Sequence, residues 1–463
     1  MDVSAHSLIE ELKEFLRSDQ ISTNETILER HSKDESYHRN SFPDLVVFPE
    51  TTQEVSGIVQ IADRTETPII PFGLGTSLEG HVIPYDKGMT IDFSMMDQIL
   101  EIKENDFLVK VQPGVTRSQL NKALKKYGLF FSVDPGADAT LGGMASTNAS
   151  GTTSVKYGVM KDQVHDLQIV HPDGEVIHTG NSARKSSSGY DLNRLYVGSE
   201  GTLGCITELT LRVYGIPEHI MAARATFSSL NDAVNAVVAI LQSGLSIARV
   251  ELVDEDSIRQ VNRFSETNFS EKTSLFLEFH GNEAGLKSDL SFMEDIVKDY
   301  NCEDLQYEHD HASRNKLWEA RHNLAYAYVH GFPGRKLMVT DVCVPISQLG
   351  SAISYGRELM EKCRLTGGIL GHVGDGNYHA LLMIDMQDKD EVKRAEDFNE
   401  WIVKDALQRG GTSTGEHGVG FGKMKYQEQE HGAALEVMKK IKSSLDPKGI
   451  MNPNKIFQRK VST

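Results

Sequence analysis

The sequence predicts an α+β protein of two principal domains, preceded by a short helical segment and followed by a tail. Three observations carry this. The chain has 463 residues, more than a single core of about 250–300 residues accommodates. Up to about residue 215, short strands are separated by glycine-rich loops; beyond it, longer amphipathic helices alternate with strands, the pattern of an antiparallel sheet backed by helices. The 39 glycines crowd into 73–80, 136–158, 198–204, 367–376 and 410–422, which bares the backbone at a few places where something large approaches.

In chain order, Leu8, Ile9, Leu12, Phe15 and Leu16 recur at helical spacing within 4–17. DLVVFP (44–49) reads as a buried strand, and Thr51 with Glu54 forms a capping box that opens a helix over 52–65. TPIIPF (67–72) is the next strand and runs into the first glycine-rich loop. Short strands follow at 89–93, 98–103 and 107–112, then a helix at 116–127 closed by Gly128. Residues 134–158 are mostly Gly, Ala, Ser, Thr and Asn, too small to build a core of their own. Strands at 164–171, 174–178 and 204–213 complete the first domain. In the second, helices are expected at 229–242, 283–299, 310–328, 346–363 and 388–409, and strands at 248–253, 274–280, 338–344, 367–373 and 378–385. A last helix at 431–445 precedes the tail. The expected divisions are therefore 1–40, 41–215, 216–430 and 431–463.

Charge and composition remove several classes. The net charge is −18 and no basic run exceeds two residues, so nucleic acid is not an expected partner. No apolar stretch approaches the ~20 residues of a membrane span, and the acidic amphipathic start resembles no targeting peptide. The four cysteines lack CxxC spacing and read as reduced thiols. The expected location is the cytoplasm, at most peripheral to a membrane.

The motifs narrow the chemistry. PFGLGTSLEG (71–80), DPGADATLGGMASTNASGTTSVKYG (134–158) and GSEGTLGCIT (198–207) can each lay backbone N–H groups against a polar cofactor. None is GxGxxG or GxxxxGK[ST], so neither the Rossmann nor the P-loop mode is indicated. In GILGHVGDGNYHALLMID (368–385), two apolar runs flank Asp375-Gly376, the sequence of a two-residue type I′ hairpin. That turn places His372 opposite His379, with Cβ atoms roughly 4.5–5.5 Å apart on one face, where both imidazoles reach one metal. GGTSTGEHGVGFGK (410–423) sets Glu416 and His417 among six glycines. Two histidines and one carboxylate leave open positions on a divalent ion, and His417 remains for proton transfer.

The three glycine-rich segments resemble the FAD-binding domain of the vanillyl-alcohol oxidase / p-cresol methylhydroxylase (PCMH) superfamily over about 45–215. The resemblance implies that the first loop holds the pyrophosphate and that the other two lie along the rest of the cofactor. By position the residues are Pro71, Gly73, Gly75, Thr76, Ser77, Pro135, Gly136, Thr140, Gly142, Gly143, Ser146, Asn148, Gly151, Gly201 and Ile206. Thr76 stands where some members bond the flavin to a His, so the resemblance implies non-covalent FAD, with His81 an ordinary loop residue.

GHVGDGNYH, GEHGVGFGK, TDVCVPIS (340–347) and LDPKGIMNPNKIF (445–457) together resemble the FAD-dependent D-2-hydroxyacid dehydrogenases, which include cytochrome-linked D-lactate dehydrogenases and the flavin subunit of glycolate oxidase. The resemblance implies a PCMH-type FAD domain with a ferredoxin-like α+β cap domain for substrate and metal. It makes His372, His379 and Glu416 ligands of one divalent metal (Zn, Mn or Fe), His417 the base, Arg321 the substrate carboxylate clamp and Asn452 a tail residue near the flavin. The implied reaction oxidises a small D-2-hydroxy acid to the 2-oxo acid with hydride transfer to the flavin. Relatives acting on 2-hydroxyglutarate carry Lys-Tyr-Asp where this chain has Val339-Thr340-Asp341, so a monocarboxylate is expected. An external acceptor (cytochrome, quinone, or an Fe–S or flavin partner subunit) is implied, and a homodimer is compatible. The alternatives are a flavin subunit of a glycolate oxidase complex and a non-redox metal hydrolase.

Overall fold

The computed structural model describes residues 3–308 and 310–458. They fall into two compact units, one formed by residues 3–150, 159–216 and 417–458, the other by 151–158, 217–308 and 310–416.

The first unit holds two sheets. One has four strands in the order Ile21–Ser22, Leu45–Val47, Met89–Asp92, Ile69–Phe72, and the last three run parallel. The helix Thr52–Thr65 covers it with Val55, Ile58, Val59 and Ala62, on the face that the apolar spacing indicated. At its start the Thr51 side chain accepts the Glu54 N–H, but the Glu54 carboxylate turns to the Glu50 N–H and the Gln20 amide, so the box is only half formed. The other sheet is antiparallel, in the order Ile99–Lys103, Leu108–Val111, Cys205–Arg212, Val164–Val170, Val176–His178. The tail returns to the first sheet: the Ile69 N–H donates to the Ile450 carbonyl and the Asn452 N–H to the Ile69 carbonyl. The first glycine-rich loop leaves the carboxyl end of Ile69–Phe72, the end of a parallel sheet where ligands of open α/β folds sit.

The second unit is built on one antiparallel sheet, eight-stranded among the described residues. The strands Cys302–Glu308, His219–Phe227, Thr273–Gly281 and Ile247–Val253 lie in that order, backed by the helices Leu230–Gln242 and Glu283–Asp299. Numbered along the chain, this is 4-1-3-2, the split β-α-β arrangement of the ferredoxin-like fold, with the helix Glu255–Phe264 inserted before the third strand. Gly367–Gly371, Asn377–Ile384 and Lys336–Val339 extend the sheet.

Two elements differ from the sequence reading. The helix expected over 310–328 is two, His311–His322 and Leu324–Gly331, parted at Asn323, whose backbone leaves the helical region. The strand expected over 338–344 breaks into Lys336–Val339 and Val342–Cys343; Thr340 still exchanges hydrogen bonds with the Ala380 backbone, while the Asp341 side chain bonds those of Asn377 and Thr414.

Candidate active site

In the first unit, glycine lets the three loops close on one another. A Cβ at Gly73 would stand 2.4 Å from Oγ1 of Thr140, the residue that caps the helix Leu141–Thr147 by accepting the Gly143 N–H. One at Gly201 would stand 2.9 Å from Pro71, and one at Gly142 2.5 Å from Pro113. The Ser146 carbonyl accepts the Glu200 N–H at 2.8 Å, and the buried Ile206 pairs with Ile169 in the antiparallel sheet. Asn148 takes a left-handed backbone and accepts the Lys161 N–H. Asn452 ties the arrangement together, its amide donating to the carbonyls of His81 and Glu200 at 3.0 and 2.7 Å.

The residues fit a large anionic cofactor. Among the described residues, the backbone N–H groups of Leu74, Gly75, Thr76 and Ser77 meet no protein acceptor. Successive free donors on a glycine-rich loop form a phosphate cradle. Oδ1 of Asn452 is buried and takes no hydrogen bond, and the space beside Gly136 is open. Gly151 is the one residue of the flavin set that lies in the second unit, at the start of the segment 151–158.

In the second unit, His372, His379 and Glu416 converge. The Nε2 atoms of the two histidines lie 3.3 and 3.2 Å from the same Glu416 oxygen, and their rings are 5.6 Å apart at nearly a right angle. The other nitrogen of each ring is oriented: His372 Nδ1 donates to Glu251 at 2.6 Å, His379 Nδ1 to the Thr340 carbonyl at 3.0 Å. Such partners fix the tautomer of metal-ligating histidines and turn Nε2 toward the ion. Asp341, fully buried, fixes the third group by accepting the Glu416 N–H at 3.0 Å and the Thr414 hydroxyl at 2.6 Å. Gly415 is required beside it, since a Cβ there would lie 2.0 Å from the Asn377 amide.

The route to this cluster differs from the one read in the sequence. The ladder pairs Leu370 with His379 and Ile369 with Ala380, a register two residues away from the expected one. A type I′ turn needs left-handed φ at both central residues, and only Gly376 has it. The His372 carbonyl instead accepts the Asp375 and Asn377 N–H groups, making a wider loop. A slip of two residues keeps every side chain on its face, so His372 still lies on the face of His379 as its diagonal neighbour.

Arg321 is buried on the helix His311–His322, and its guanidinium pairs with Glu251 at 2.6 Å. Its Nε is buried without an acceptor, a donor left over for a ligand. Glu251, on Ile247–Val253, is wholly buried and joins Arg321 to His372. It was not among the sequence candidates; its signal is an acid in the middle of the expected strand 248–253, flanked directly by Val250 and Leu252. Burial pushes the Glu251 carboxyl up, but His372 and Arg321 outweigh it and hold it below its usual range. Burial opposes charge on His372, yet Glu251 and Glu416 raise it well above the ordinary histidine value, while Glu416 is held well below the usual carboxylate range. The cluster thus calls for positive charge at its centre, which suits a divalent ion displacing a proton.

Residues 216–456 match the model of the FAD linked oxidases, C-terminal domain, and residues 43–180 that of the FAD binding domain. The chain belongs to the FAD-linked oxidase family. FAD is therefore its cofactor. A probable D-lactate dehydrogenase, mitochondrial, of Danio rerio is 45% identical, matching 95% of this chain and 89% of its own length. The D-lactate dehydrogenase [cytochrome], mitochondrial, of Arabidopsis thaliana is 41% identical over 97% of this chain and 80% of its own. The glycolate oxidase subunit GlcD of Bacillus subtilis is 33% identical over 93% and 92%. This FAD-linked oxidase shares its fold with p-cresol methylhydroxylase, at a TM-score of 0.83 and 16% identity over 99% of this chain and 98% of that one. Among its described residues, no helix is long and apolar enough to cross a membrane.

Proposed function

We propose that this protein oxidises a small D-2-hydroxy monocarboxylate, D-lactate or glycolate, to the 2-oxo acid and passes the electrons to an external acceptor. The convergence of His372, His379 and Glu416 on one point, beside an arginine with an unused donor, is the observation that carries the reading. The relatives' names point the same way. FAD, when bound, supplies the two-electron oxidant. His372, His379 and Glu416 hold a divalent ion, which contributes Lewis acidity toward the substrate hydroxyl; a donor set of two imidazoles and one carboxylate suits Zn, Mn or Fe.

The chain's own groups do the rest. Arg321 fixes the substrate carboxylate through its free edge, and Glu251 fixes Arg321. His417, next in sequence to Glu416, takes the hydroxyl proton. The 2-hydroxyglutarate class carries Lys-Tyr-Asp where Val339-Thr340-Asp341 stand here. Asp341 is committed to Thr414 and Glu416, and Val339 has no charge for a distal carboxylate, so the substrate is a monocarboxylate. The acceptor is a cytochrome, a quinone or a partner subunit, and a homodimer is compatible. The protein acts in the compartment of that acceptor, cytoplasmic or, as in the relatives named mitochondrial, within that organelle.

Anaerobic titration with D-lactate, L-lactate, glycolate and D-2-hydroxyglutarate tests this. The yellow flavin should bleach with D-lactate or glycolate and not with L-lactate or D-2-hydroxyglutarate. A spectrum unchanged by every D-2-hydroxy acid refutes the assignment. Acid precipitation should release the colour into solution, since no covalent link is proposed.

A further inference from the structure

We infer that Glu200 is a positioning residue that holds the loop carrying His417, an inference that rests on the proposed role of His417 as base. Glu200 lies in the third glycine-rich loop, and its side chain leaves the flavin loops to grip the segment that follows His417. One carboxylate oxygen accepts the Val419 N–H at 2.7 Å and the other the Gly420 N–H at 2.8 Å. The next two N–H groups, of Phe421 and Gly422, donate to the carbonyl of Glu79 in the first glycine-rich loop at 2.8 and 3.0 Å. Four consecutive amides are thereby taken by two glutamates. The Glu200 side chain is buried and both of its bonds are charge-assisted, the stronger kind.

Four further features show that the surroundings are built around this contact. Glu200 takes a left-handed backbone, φ 53°, a conformation that a residue with a side chain adopts only where its neighbours impose it. Its N–H donates to Ser146 and its carbonyl accepts Asn452, so the main chain is fixed from both sides. On the loop, Gly418 is left-handed at φ 85°, and a Cβ there would lie 2.7 Å from the Glu200 carboxylate and 2.6 Å from His81 Nε2. His81 is buried with Nε2 3.4 Å from the same carboxylate, which raises the imidazole above its ordinary value against the cost of burial. A base works only within hydrogen-bond reach of its proton, and a misplacement of about 1 Å costs on the order of a hundredfold in rate. Glu200 removes that freedom from the backbone beside His417.

Glu200→Gln keeps the size and one acceptor oxygen but gives up the charge and one of the two N–H bonds. In hydrogen–deuterium exchange on the holoenzyme, the Val419 and Gly420 amides should exchange at least about tenfold faster than in the wild type; unchanged exchange overturns the inference. In anaerobic rapid mixing with D-lactate, the limiting rate of flavin reduction per bound FAD should fall on the order of 30–100-fold. Substrate affinity should change by less than about threefold, and the solvent isotope effect on reduction should grow because proton removal has slowed. Asp92→Asn, which breaks the buried His31–Asp92 pair, serves as the control: it should lower the melting temperature and leave the rate per FAD intact. If Glu200→Gln behaves like this control, Glu200 is only structural and the inference fails. If no D-2-hydroxy acid reduces the wild-type flavin, the functional assignment fails, while exchange at Val419 and Gly420 still decides whether Glu200 holds the loop.

Discussion

Replacing Glu251 by Gln perturbs two things at once, and the structure separates them. Glu251 is wholly buried; one oxygen accepts His372 Nδ1 at 2.6 Å and the other pairs with the Arg321 guanidinium at 2.6 Å. Glutamine still offers an oxygen to His372 but no charge to either partner. Arg321 is then a buried cation without its counter-ion, and breaking a buried pair on one side costs about 3–5 kcal/mol. For a unit of about 200 residues, each kcal/mol moves the melting point by roughly 2–4 °C, so a drop of about 6–20 °C is expected. Separately, loss of the carboxylate behind a ligating histidine lowers metal affinity about 10–100-fold, or about 1.4–2.7 kcal/mol. The assays are differential scanning calorimetry and metal content after dialysis against a graded chelator. A variant that melts low but keeps wild-type metal affinity would show that Glu251 serves only Arg321. A variant with neither change would refute the whole account of the cluster.

His379→Ala should lose metal and substrate-driven bleaching while retaining FAD, because the ligands lie in one unit and all of the flavin set but Gly151 in the other; metal analysis beside the visible spectrum checks it, and loss of FAD contradicts the division. Gly73→Ala should cut FAD occupancy at least about tenfold and leave the metal in place, because the new methyl stands 2.4 Å from Thr140 Oγ1; the ratio of FAD to protein after gel filtration reads this out. Lys455 gives a pH test. Burial pushes its ammonium down to about 8, against the pull of Asp86, Glu200 and Asp34, while the unfolded chain titrates near 10.4. Between those values the unfolded state binds more protons, so this group makes stability rise with pH over that window; below about 8 its penalty is constant, on the order of 3 kcal/mol. Lys455→Met should flatten that part of the urea midpoint profile, and an unchanged slope would contradict the reading.

Local signals were legible wherever chain neighbours decide the outcome. The helix Thr52–Thr65 occupies the expected 52–65, because Thr51 satisfies a first-turn N–H and the apolar positions recur on one face. The hairpin register was not legible, because it is decided from outside the hairpin. Asn377 donates to Asp341 and to the Val342 carbonyl, and the start of its strand pairs with Val342–Cys343. Those contacts pull Asn377 and Tyr378 out of the ladder with Gly367–Gly371 and widen the loop. Facing was legible all the same, since a period of two survives a slip of two, and that is why His372 and His379 were placed on one face through the wrong turn.

What the sequence concealed has one chemical type. Histidines and glycine clusters stand out because they are sparse or bunched, and they marked the proposed ligands, the proposed base and the loops. The groups that place them are buried carboxylates: Glu251 behind His372 and Arg321, Asp341 behind Glu416, and Glu200 behind the His417 loop. In a chain with 66 acidic residues no single carboxylate is conspicuous. Their distinction is burial, which makes an acceptor-only group seek two donors and so fix the angle between two elements. Each of the three bridges two segments far apart in sequence, an arrangement visible only once the chain is folded. At these positions the negative charge is the means by which the elements of the site are held in register.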